Sequence, residues 1–259
     1  MGATTGTDEH DRLARLVAGA GSVVALTGAG ISVPSGIPDF RSPETGLWAN
    51  VDPMTIAHVD VWRADPVRFW AYYGERFARL GGVEPNDAHR ALVELERRGH
   101  LGAVLTQNID GLHERAGSSD VVELHGSIAG CHCPACGARE PLKTVLRLIA
   151  DAEDGVPRCA VCAGVLKPDV VLFGDMLPVD AEYRSRSLAG SCDLLLCIGS
   201  SLQVWPVAGL PERTLEAGGD VAIVTASTTP YDDAATVRLG GDVVAELQGL
   251  VAALDRLAG

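Results

Sequence analysis

A histidine and several polar side chains lie where two candidate strands end. The first strand, LGAVLTQN, ends in Gln107 and Asn108, with Asp110 close behind, and the second, VVELHG, ends in His125. Histidine titrates near neutral pH and serves as a general base, while Asn and Asp orient hydroxyl groups. Asn108, Asp110 and His125 are therefore candidate catalytic residues of an acid–base site, with a structural role for the histidine as the alternative. His113 lies about one turn into a helix that Asp110 could cap, which favours a structural role.

A glycine-rich turn follows the first candidate strand, where SVVALTGAG continues into ISVPSGIPDFR over residues 22–41. Gly28 and Gly30 allow close backbone approach and unusual φ angles, so that amides could face a diphosphate at a helix start. The dinucleotide fingerprint G-x-G-x-x-G is not present, because its third glycine is replaced by Val33. The turn alone could be structural, but the polar and aromatic PDFR favours a loop that covers a ligand.

Four cysteines form two C-x2-C pairs with twenty-two residues between the pairs: Cys133, Cys136, Cys159 and Cys162. This spacing predicts a tetrahedral zinc site, and four thiolates would close the coordination sphere and leave no position for a catalytic water. We therefore predict one structural Zn²⁺. Cys131 and His132 lie beside the first pair, so the spacing leaves open a register that uses Cys131.

Short apolar runs recur along the chain and end in glycine or polar turns, over residues 22–30, 101–108, 121–126, 169–175, 193–201 and 220–226. Continuous apolar runs separated by helix-like segments are typical of parallel strands that are buried on both faces. The pattern predicts an α/β fold with a Rossmann-like, doubly wound parallel sheet. Ligands of such sheets bind beyond the carboxyl ends of the strands, where the polar residues described above lie.

Two stretches interrupt this pattern. Residues 41–80 are rich in aromatic side chains and repeat them at helical spacing, at Phe69, Tyr73 and Phe77, while residues 126–167 hold both cysteine pairs. We predict that a helical insert, 41–80, and a zinc-binding insert, 126–167, form a small domain. The Rossmann-like domain would then comprise residues 1–40, 81–125 and 168–259, and it would close with an amphipathic helix from residue 242.

Charge and composition narrow the classes of partner. The 259 residues carry a net charge of −13, with 34 acidic and 21 basic residues, which would repel phosphate backbones and anionic lipids. The amino terminus does not resemble a signal peptide, and no apolar stretch is long enough to span a membrane. We expect a cytoplasmic protein that binds neither nucleic acid nor a membrane, and we make no prediction of its oligomeric state.

The motifs together resemble the sirtuins, a family of NAD-dependent protein deacylases. GAGIS, SGIPDFR, TQNIDGLHERAG, ELHG, the two cysteine pairs, VLFGD and GSSLQVWP follow one another in the family's order over nearly the whole chain. The resemblance implies NAD as co-substrate and acylated lysine side chains of proteins as partners. It also implies a reaction that yields nicotinamide, free lysine and O-acyl-ADP-ribose, with His125 as the general base.

The resemblance further implies which residues contact the ligands. Those assigned to the cofactor are Gly28, Ala29, Gly30, Ile31, Ser32, Asp39, Phe40, Arg41, Gln107, Asn108, Asp110, Gly199, Ser200, Ser201 and Thr225. VLFGD and QVWP would clamp an extended substrate peptide, with Val171 and Phe173 beside the acyl-lysine, although both could equally be core. Two residues depart from the family: Asp175 replaces a glutamate, and Thr225 replaces an asparagine that contacts the adenosine ribose in many relatives.

The acyl group is indicated by three residues of the aromatic stretch. Ala57, Tyr73 and Arg76 fall at the spacing of the small residue, Tyr and Arg that distinguish sirtuins acting on acidic acyl groups. Tyr73 and Arg76 share a helix face and could bind a carboxylate, and Ala57 would leave room for it. This predicts removal of succinyl and malonyl groups as well as acetyl. The alternative is that Tyr73 belongs to the core stripe and Arg76 is merely solvated.

Two other functions use the same motifs. A protein ADP-ribosyltransferase would pass the ribose to a different nucleophile, and a non-catalytic scaffold would bind NAD and zinc without turnover. The complete set of Gln107, Asn108, Asp110 and His125 favours the deacylase over both.

Overall fold

The computed structural model describes residues 4–39 and 52–259. Two residues predicted to bind the cofactor, Phe40 and Arg41, lie outside the described residues. The first half of the fold contains α1 (Thr4–Gly19), β1 (Val23–Thr27), α2 (Val59–Ala64), α3 (Pro66–Leu80), α4 (Asp87–Arg97), β2 (Ala103–Thr106), α5 (Leu112–Ala116) and β3 (Val121–Glu123). The second half contains β4 (Gly126–His132), β5 (Arg139–Pro141), α6 (Leu142–Asp151), β6 (Lys167–Val170), α7 (Val179–Ala189), β7 (Leu194–Ile198), α8 (Leu210–Glu216), β8 (Asp220–Val224), β9 (Val237–Leu239) and α9 (Val243–Ala258).

A six-stranded parallel sheet with the order β3-β2-β1-β7-β8-β9 forms the larger part of the described fold. The order reverses at β1, which pairs with β2 on one side and with β7 on the other, so that Thr27 aligns with both Thr106 and Ile198. In open α/β sheets this reversal opens a crevice at the carboxyl ends of the strands. The predicted α/β fold with a doubly wound sheet is confirmed, and its switch point lies beside Thr27.

Alternate residues of β1 face opposite sides of the sheet, because side chains along a strand point alternately to its two faces. Val23 and Ala25 pack with α1, α4 and α9, whereas Val24 and Leu26 pack with α7 and α8. All five residues of β1 are buried. Helices on both faces therefore explain why the strand reads as a continuous apolar run.

A smaller body contains an antiparallel sheet with the order β5-β4-β6, together with α2, α3 and α6. Helix α3 begins at Pro66, where the Asp65 carboxylate accepts the Arg68 N–H. Its predicted aromatic stripe is present, since Phe69 and Phe77 are each 1% exposed and pack with Trp70 in the core. The division of the chain into two domains at the residues given above stays a prediction.

The run 169–175 was predicted to be a strand of the large sheet, and this is wrong. Only its first residues belong to a strand, β6, which pairs antiparallel with β4 in the small sheet. The physical reason is that the chain returns from the cysteine pairs directly alongside β4. Beyond β6 the backbone bonds to loops instead: the Val171 N–H donates to the His125 carbonyl and the Phe173 N–H donates to the Ala57 carbonyl.

The edge strand β9 was not predicted, because three residues are too few to show an alternating pattern. The closing helix α9 is confirmed, and the Asp242 carboxylate caps it by accepting the N–H groups of Val244 and Ala245. Among the described helices, none is long and apolar enough to cross a membrane.

Candidate active site

A cleft of about 860 Å³ opens at the switch point of the sheet. The residues that follow β1, β2, β3, β7 and β8 all contribute to its wall. The predicted site residues that line it are Gly28, Ala29, Gly30, Asp39, Ala57, Tyr73, Gln107, Asn108, His125, Val171, Phe173, Gly199, Ser200, Ser201 and Thr225. Ile31, Ser32, Asp110 and Arg76 lie behind or beside that wall.

Gly28 and Gly30 are required by the contact between two loops. A Cβ on Gly30 would lie 2.7 Å from the Gly199 Cα, and one on Gly28 would lie 2.9 Å from the Gly199 carbonyl oxygen. Their N–H groups donate to the carbonyls of Ile198 and Gly199, at 3.0 and 2.8 Å. Neither has a positive φ. The expected close backbone approach at these glycines is present without unusual φ angles, and their amides hold the first loop against the loop after β7. Contact of the turn's amides with a diphosphate stays a prediction.

Asn108 ties the end of β2 to the glycine-rich loop. Its side-chain amide donates to the Gly28 carbonyl at 3.2 Å and to the Ser32 Oγ at 3.1 Å. The Ser32 hydroxyl in turn donates to the Asp110 carboxylate at 2.8 Å. Asn108, Ser32 and Asp110 are at most 8% exposed, so this network is shielded from water. Buried hydrogen bonds of this kind fix the shape of a site before its ligand arrives.

Asp110 also accepts the Leu112 N–H at 3.0 Å, at the start of α5. Burial raises the pKa of Asp110 above its ordinary value, while the hydrogen bonds from Leu112 and Ser32 act in the opposite direction. Because both carboxylate oxygens are engaged and the group lies behind the wall, the structure supports a positioning role for Asp110 rather than direct proton transfer.

His125 has the geometry of a general base. Its Nδ1 lies 3.0 Å from the Gln107 carbonyl oxygen, which can only accept, so Nδ1 carries the proton. Neutral imidazole then has a bare lone pair on Nε2, which can take a proton from a ligand. Burial lowers the pKa of His125 below 6.5, and the bond to Gln107 partly opposes that shift. The base is therefore neutral at physiological pH.

Gln107 connects the third loop to the others. Its side-chain amide donates to the Ser200 Oγ at 2.8 Å, and its backbone N–H donates to the Thr27 carbonyl at 2.9 Å. The Ser200 hydroxyl oxygen also accepts the Leu202 N–H at 3.2 Å. The loops after β1, β2 and β7 thus form one hydrogen-bonded wall.

The opposite wall comes from the smaller body. Ala57 is 7% exposed and lines the cleft together with Tyr73 and Phe173. Phe173 bonds to the segment before α2 on both sides, since its N–H donates to the Ala57 carbonyl and its carbonyl accepts the Val59 N–H, each at 2.9 Å. The pocket wall and the segment predicted to bind peptide are thus joined through one backbone ladder.

Arg76 lies next to this wall. Its guanidinium carbon is 3.4 Å from the centroid of the Tyr72 ring, and its Nη1 donates to the Tyr72 carbonyl at 3.1 Å. Burial raises the pKa of Tyr73, as does the neighbouring Tyr72, whereas Arg76 lowers it. Tyr73 therefore keeps its hydroxyl proton and can donate a hydrogen bond.

The two departures from the family pattern are accommodated locally. The Asp175 carboxylate pairs with the Lys167 ammonium at 2.8 Å and accepts the Leu172 N–H at 3.1 Å. Thr225 is 7% exposed, with its Oγ1 3.3 Å from the Ser227 Oγ. A pair of hydroxyl groups thus lies at the end of β8, at the position predicted to face the adenosine ribose.

The four predicted zinc ligands come together at one end of the smaller body. All four sulfur atoms lie within 4.8 Å of one another, and the Cys133–Cys162 and Cys136–Cys159 distances are 3.4 and 3.6 Å. Tetrahedral Zn–S bonds of about 2.3 Å place sulfurs about 3.8 Å apart, so the cluster fits a zinc ion. Among the described residues the cluster contains neither Cys131 nor His132, whose ring is 2.7 Å from the Asp169 carboxylate.

Parts of the cleft wall were not among the predicted site residues. Val33 and Pro34 follow the glycine-rich turn, and residues 241–243 precede α9. Neither stretch contains a cluster of titratable residues or the spacing of metal ligands. Their residue types therefore did not indicate that they line the cleft. The QVWP segment was predicted to face peptide, and Gln203 to Pro206 do line the cleft.

Comparison with known proteins agrees with this geometry. A sequence model of the Sir2 family matches residues 28–206. An NAD-dependent protein deacetylase of Caldivirga maquilingensis is 44% identical over 237 residues, covering 89% of this chain and 90% of its own length. The NAD-dependent protein deacylase Sir2 of Mycolicibacterium smegmatis is 44% identical over 227 residues, covering 84% and 90%.

A solved structure described as Sir2 with a p53 peptide and NAD⁺ superposes with a TM-score of 0.86 at 37% identity, covering 93% of this chain and 96% of that chain. The structural similarity therefore extends over almost the whole chain. With its family motifs in order and its fold shared across almost the whole length, the chain belongs to the Sir2 family.

Proposed function

We propose that this Sir2-family enzyme, an NAD-dependent protein-lysine deacylase, removes succinyl and malonyl groups as well as acetyl groups. The observation that carries the proposal is the composition of the cleft. One wall holds His125 with a bare Nε2, and the opposite wall holds Ala57 and Tyr73. A base for the reaction and a pocket for the acyl group thus share one cavity.

NAD would supply an anomeric carbon from which nicotinamide departs when the acyl oxygen attacks. The residues that would hold it are the switch-point loops, with Gln107 and Asn108 toward the reacting ribose and Thr225 toward the adenosine end. The glycine-rich loop fits such a ligand, because Gly28 and Gly30 let it pack against Gly199 and leave the crevice open. These assignments follow the family resemblance and the position of each residue on the wall.

His125 would take the proton of a ribose hydroxyl. The Gln107 carbonyl fixes its tautomer, and burial keeps the ring neutral, so that Nε2 is available as the acceptor. Asn108, Ser32 and Asp110 would hold the glycine-rich loop in place while this transfer occurs. Val171 lies directly beside the base, because its N–H donates to the His125 carbonyl at 2.8 Å. An acyl-lysine bound along residues 171–173 would therefore reach the base.

The preference for acidic acyl groups depends on Arg76. Its guanidinium is positioned over the Tyr72 ring, a contact worth about 0.5–1 kcal/mol where the pair is exposed. A charge-assisted bond from guanidinium to carboxylate is stronger than this contact in a partly dry pocket. We propose that the side chain turns from Tyr72 to the acyl carboxylate, while the neutral Tyr73 hydroxyl donates a second bond.

The test replaces Arg76 and compares acyl groups on one peptide. In Arg76→Met we expect the kcat/KM for succinyl- and malonyl-lysine to fall by about 100-fold and that for acetyl-lysine to change less than about threefold. Arg79→Met is the matched control, since Arg79 lies on the same helix but is 82% exposed and pairs only weakly with Glu75, at 3.6 Å. Product formation is followed by mass spectrometry with NAD present.

An equal loss for all three acyl groups in Arg76→Met would reject the carboxylate contact. Absence of succinyl and malonyl turnover in the parent enzyme, with acetyl turnover present, would reject the acidic preference and leave the deacetylase. Label from radioactive NAD that stays on protein instead of appearing in O-acyl-ADP-ribose would indicate ADP-ribosyl transfer.

A further inference from the structure

Two buried histidines lie behind the cleft and take no part in the proposed reaction. His89 on α4 and His113 on α5 are 0% and 1% exposed, and their ring centroids are 4.9 Å apart with an angle of 63° between the ring planes. Neither ring lines the cleft. Fully buried polar side chains are costly unless their hydrogen bonds are satisfied, so a pair of them requires an explanation.

The bonds around the pair determine where each proton lies. The Asn86 backbone N–H donates to the His89 Nδ1 at 3.3 Å, so neutral His89 carries its proton on Nε2. The Thr27 hydroxyl donates its single proton to the Thr106 Oγ1 at 2.9 Å. Thr27 must therefore accept from the His113 Nε2, also at 2.9 Å, and this leaves the His113 Nδ1 bare.

The two remaining nitrogens are complementary. Within the described part of the chain, the His89 Nε2 and the His113 Nδ1 have no hydrogen-bond partner, and they belong to rings in contact. By the assignment above, the first is a donor and the second an acceptor. The reverse direction of the Thr27–Thr106 bond would put a proton on the His113 Nδ1, so that both unpartnered ring nitrogens would be buried donors. The bonds from His113 through Thr27 to Thr106 therefore favour one direction, while His89 joins them by ring contact and not by a hydrogen bond.

The hydrogen bonds on each side of the ring contact reach the cofactor loops. At one end, the Thr106 Oγ1 accepts the Asn108 N–H at 3.1 Å. At the other end, the Asn86 side-chain amide donates to the Ile31 carbonyl at 2.8 Å, within the glycine-rich turn. The elements α4, α5, β1 and β2 are thus linked behind the wall that Asn108 and Gly28 form.

We propose that His89 and His113 are positioning residues that, through Thr27 and Thr106, set the backbone at Asn108 and so preform the NAD site. The proposal rests on the proposed function, because it assigns the cleft to NAD. Burial lowers the pKa of His89 to about 4 and that of His113 to about 3, so both rings stay neutral and keep these bonds at physiological pH.

The first test reads the proton positions in the intact protein. In ¹⁵N long-range correlation spectra of histidine-labelled protein at pH 7.5, we expect both His89 and His113 to be neutral with the proton on Nε2. His89→Gln and His113→Gln assign the two signals. A proton on the His113 Nδ1, or a charged ring, would overturn the proposal whether or not the protein is an active deacylase.

The second test breaks the chain at its centre without changing the volume of the side chain. Thr27→Val removes the hydroxyl and Thr27→Ser retains it. By titration calorimetry in the absence of turnover, we expect Thr27→Val to weaken NAD binding about tenfold and Thr27→Ser to stay within about twofold of the parent. Binding of an acyl-lysine peptide should be unchanged in both variants, since the peptide segments lie on other loops.

Equal NAD affinity in Thr27→Val and the parent would overturn the proposal, as would an equal loss for NAD and peptide, which indicates general disruption. If Thr27→Val does not fold, Thr106→Val interrupts the same chain one bond nearer to Asn108, and the spectra of the parent protein decide independently. A parent protein that fails to bind NAD at all would reject the proposed function instead.

Discussion

The role proposed for His125 depends on a backbone carbonyl. Gln107 offers only an acceptor to the Nδ1, and this fixes the tautomer without a carboxylate partner. A carboxylate in that place would stabilise the charged ring and raise its pKa. With a carbonyl instead, burial has the larger effect on the pKa and the ring stays neutral.

The pH dependence of the reaction follows from this arrangement. Because the pKa of His125 is lowered from its ordinary value, we expect kcat/KM to fall in acid, and to do so at a lower pH than an unperturbed histidine would give. His125→Ala should lower kcat by at least about 100-fold, since general-base catalysis contributes about 10²–10⁴. Nicotinamide release and product formation are measured between pH 5 and 8, the range in which a histidine base titrates.

A second titrating group has to be separated from the first. Burial and the carboxylates of Glu114 and Asp110 raise the pKa of Glu123 to about 7, and Glu123 lies two residues before the base. In Glu123→Gln the acid limb should remain. If kcat/KM of Glu123→Gln no longer falls in acidic solution, the fall in the parent enzyme is due to Glu123. That result would contradict the role given to His125.

At the scale of single residues, sequence reasoning located the groups that follow strands, since His125, Gln107 and Asn108 all line the cleft. It could not identify the partners behind the wall. Thr27 and His113 are separated by 86 residues along the chain, and a hydroxyl inside an apolar strand looks like any core threonine. Sequence reasoning predicted close backbone approach at Gly28 and Gly30 but not the loop after β7 that they contact, because that loop is distant in sequence.

At the scale of elements, the small sheet depends on the cysteine cluster. Cys133 and Cys159 are 0% and 4% exposed and belong to the same core as Phe69 and Trp70 of α3. Strands β4 and β5 and helix α6 lie between the two cysteine pairs or next to them. Metal binding free energy in such sites is folding free energy, so the metal and the local fold are linked.

We expect one zinc ion per chain by elemental analysis. Cys136→Ser should lose the zinc and lower the Tm by about 5–10 °C, because a change of 1 kcal/mol shifts the Tm of a chain of this size by about 2–4 °C. Cys131→Ser, the control, should retain zinc, since Cys131 lies outside the cluster. Loss of zinc in Cys131→Ser with retention in Cys136→Ser would show that the other register is used.

The turn after β6 depends on one ion pair. Lys167 and Asp175 are 12% and 19% exposed, and the Lys167 ammonium also donates to the Val170 carbonyl at 3.0 Å. This pair folds the chain back between β6 and α7 and fixes the segment predicted to bind peptide. The shorter carboxylate still reaches its partners, so Asp175 is compatible with an ordered turn.

Asp175→Asn should raise the KM for acyl peptide by about three- to tenfold and leave NAD affinity unchanged, because a hydrogen bond to a charged group contributes about 1.5–3 kcal/mol and Asn retains part of it. Asp180→Asn, on the exposed first turn of α7, is the control. The longer Asp175→Glu restores the family residue and should keep the parent KM. A rise in the NAD dissociation constant in Asp175→Asn would contradict the local role of the pair.

The strand that sequence reasoning placed wrongly shows where patterns stop being informative. Residues 169–175 form an apolar run bounded by turn residues, which is typical of a buried parallel strand. Whether such a run pairs with the large sheet or with β4 depends on where the zinc insert returns the chain, and this is a tertiary property. Helix α9 and the cysteine cluster could be predicted because the signals lie within a single segment or a fixed spacing.

At the scale of the whole molecule, the buried histidine pair makes the fold sensitive to acid. Both pKa values, about 4 for His89 and about 3 for His113, lie below the ordinary 6.5. The unfolded chain therefore binds more protons than the folded protein below pH 6.5, and stability is lost as the pH falls. Two such groups cost about 2–3 kcal/mol in the free energy of unfolding between pH 7.5 and 5.5.

Urea unfolding at these two pH values measures the loss. We expect the double variant His89→Gln with His113→Gln to lose less stability over this interval than the parent, although it starts from a lower value. Replacement of His100, which is only half-buried, is the control and should leave the difference unchanged. An identical pH dependence in the parent and the double variant would assign the acid sensitivity to other groups.

Backbone hydrogen bonds join Phe173 to the Ala57 carbonyl and the Val59 N–H. They couple the preference of such an enzyme for an acyl group to its preference for a substrate peptide sequence. A larger side chain at position 57 would narrow the pocket and, through these backbone bonds, would also shift the segment around Phe173 that is predicted to bind the substrate peptide. A mutation that changes the acyl-group preference should therefore also change the peptide-sequence preference. We expect changes at position 57 to be accompanied by compensating changes near 173, and libraries that vary both positions together to recover more active enzymes than libraries that vary either alone.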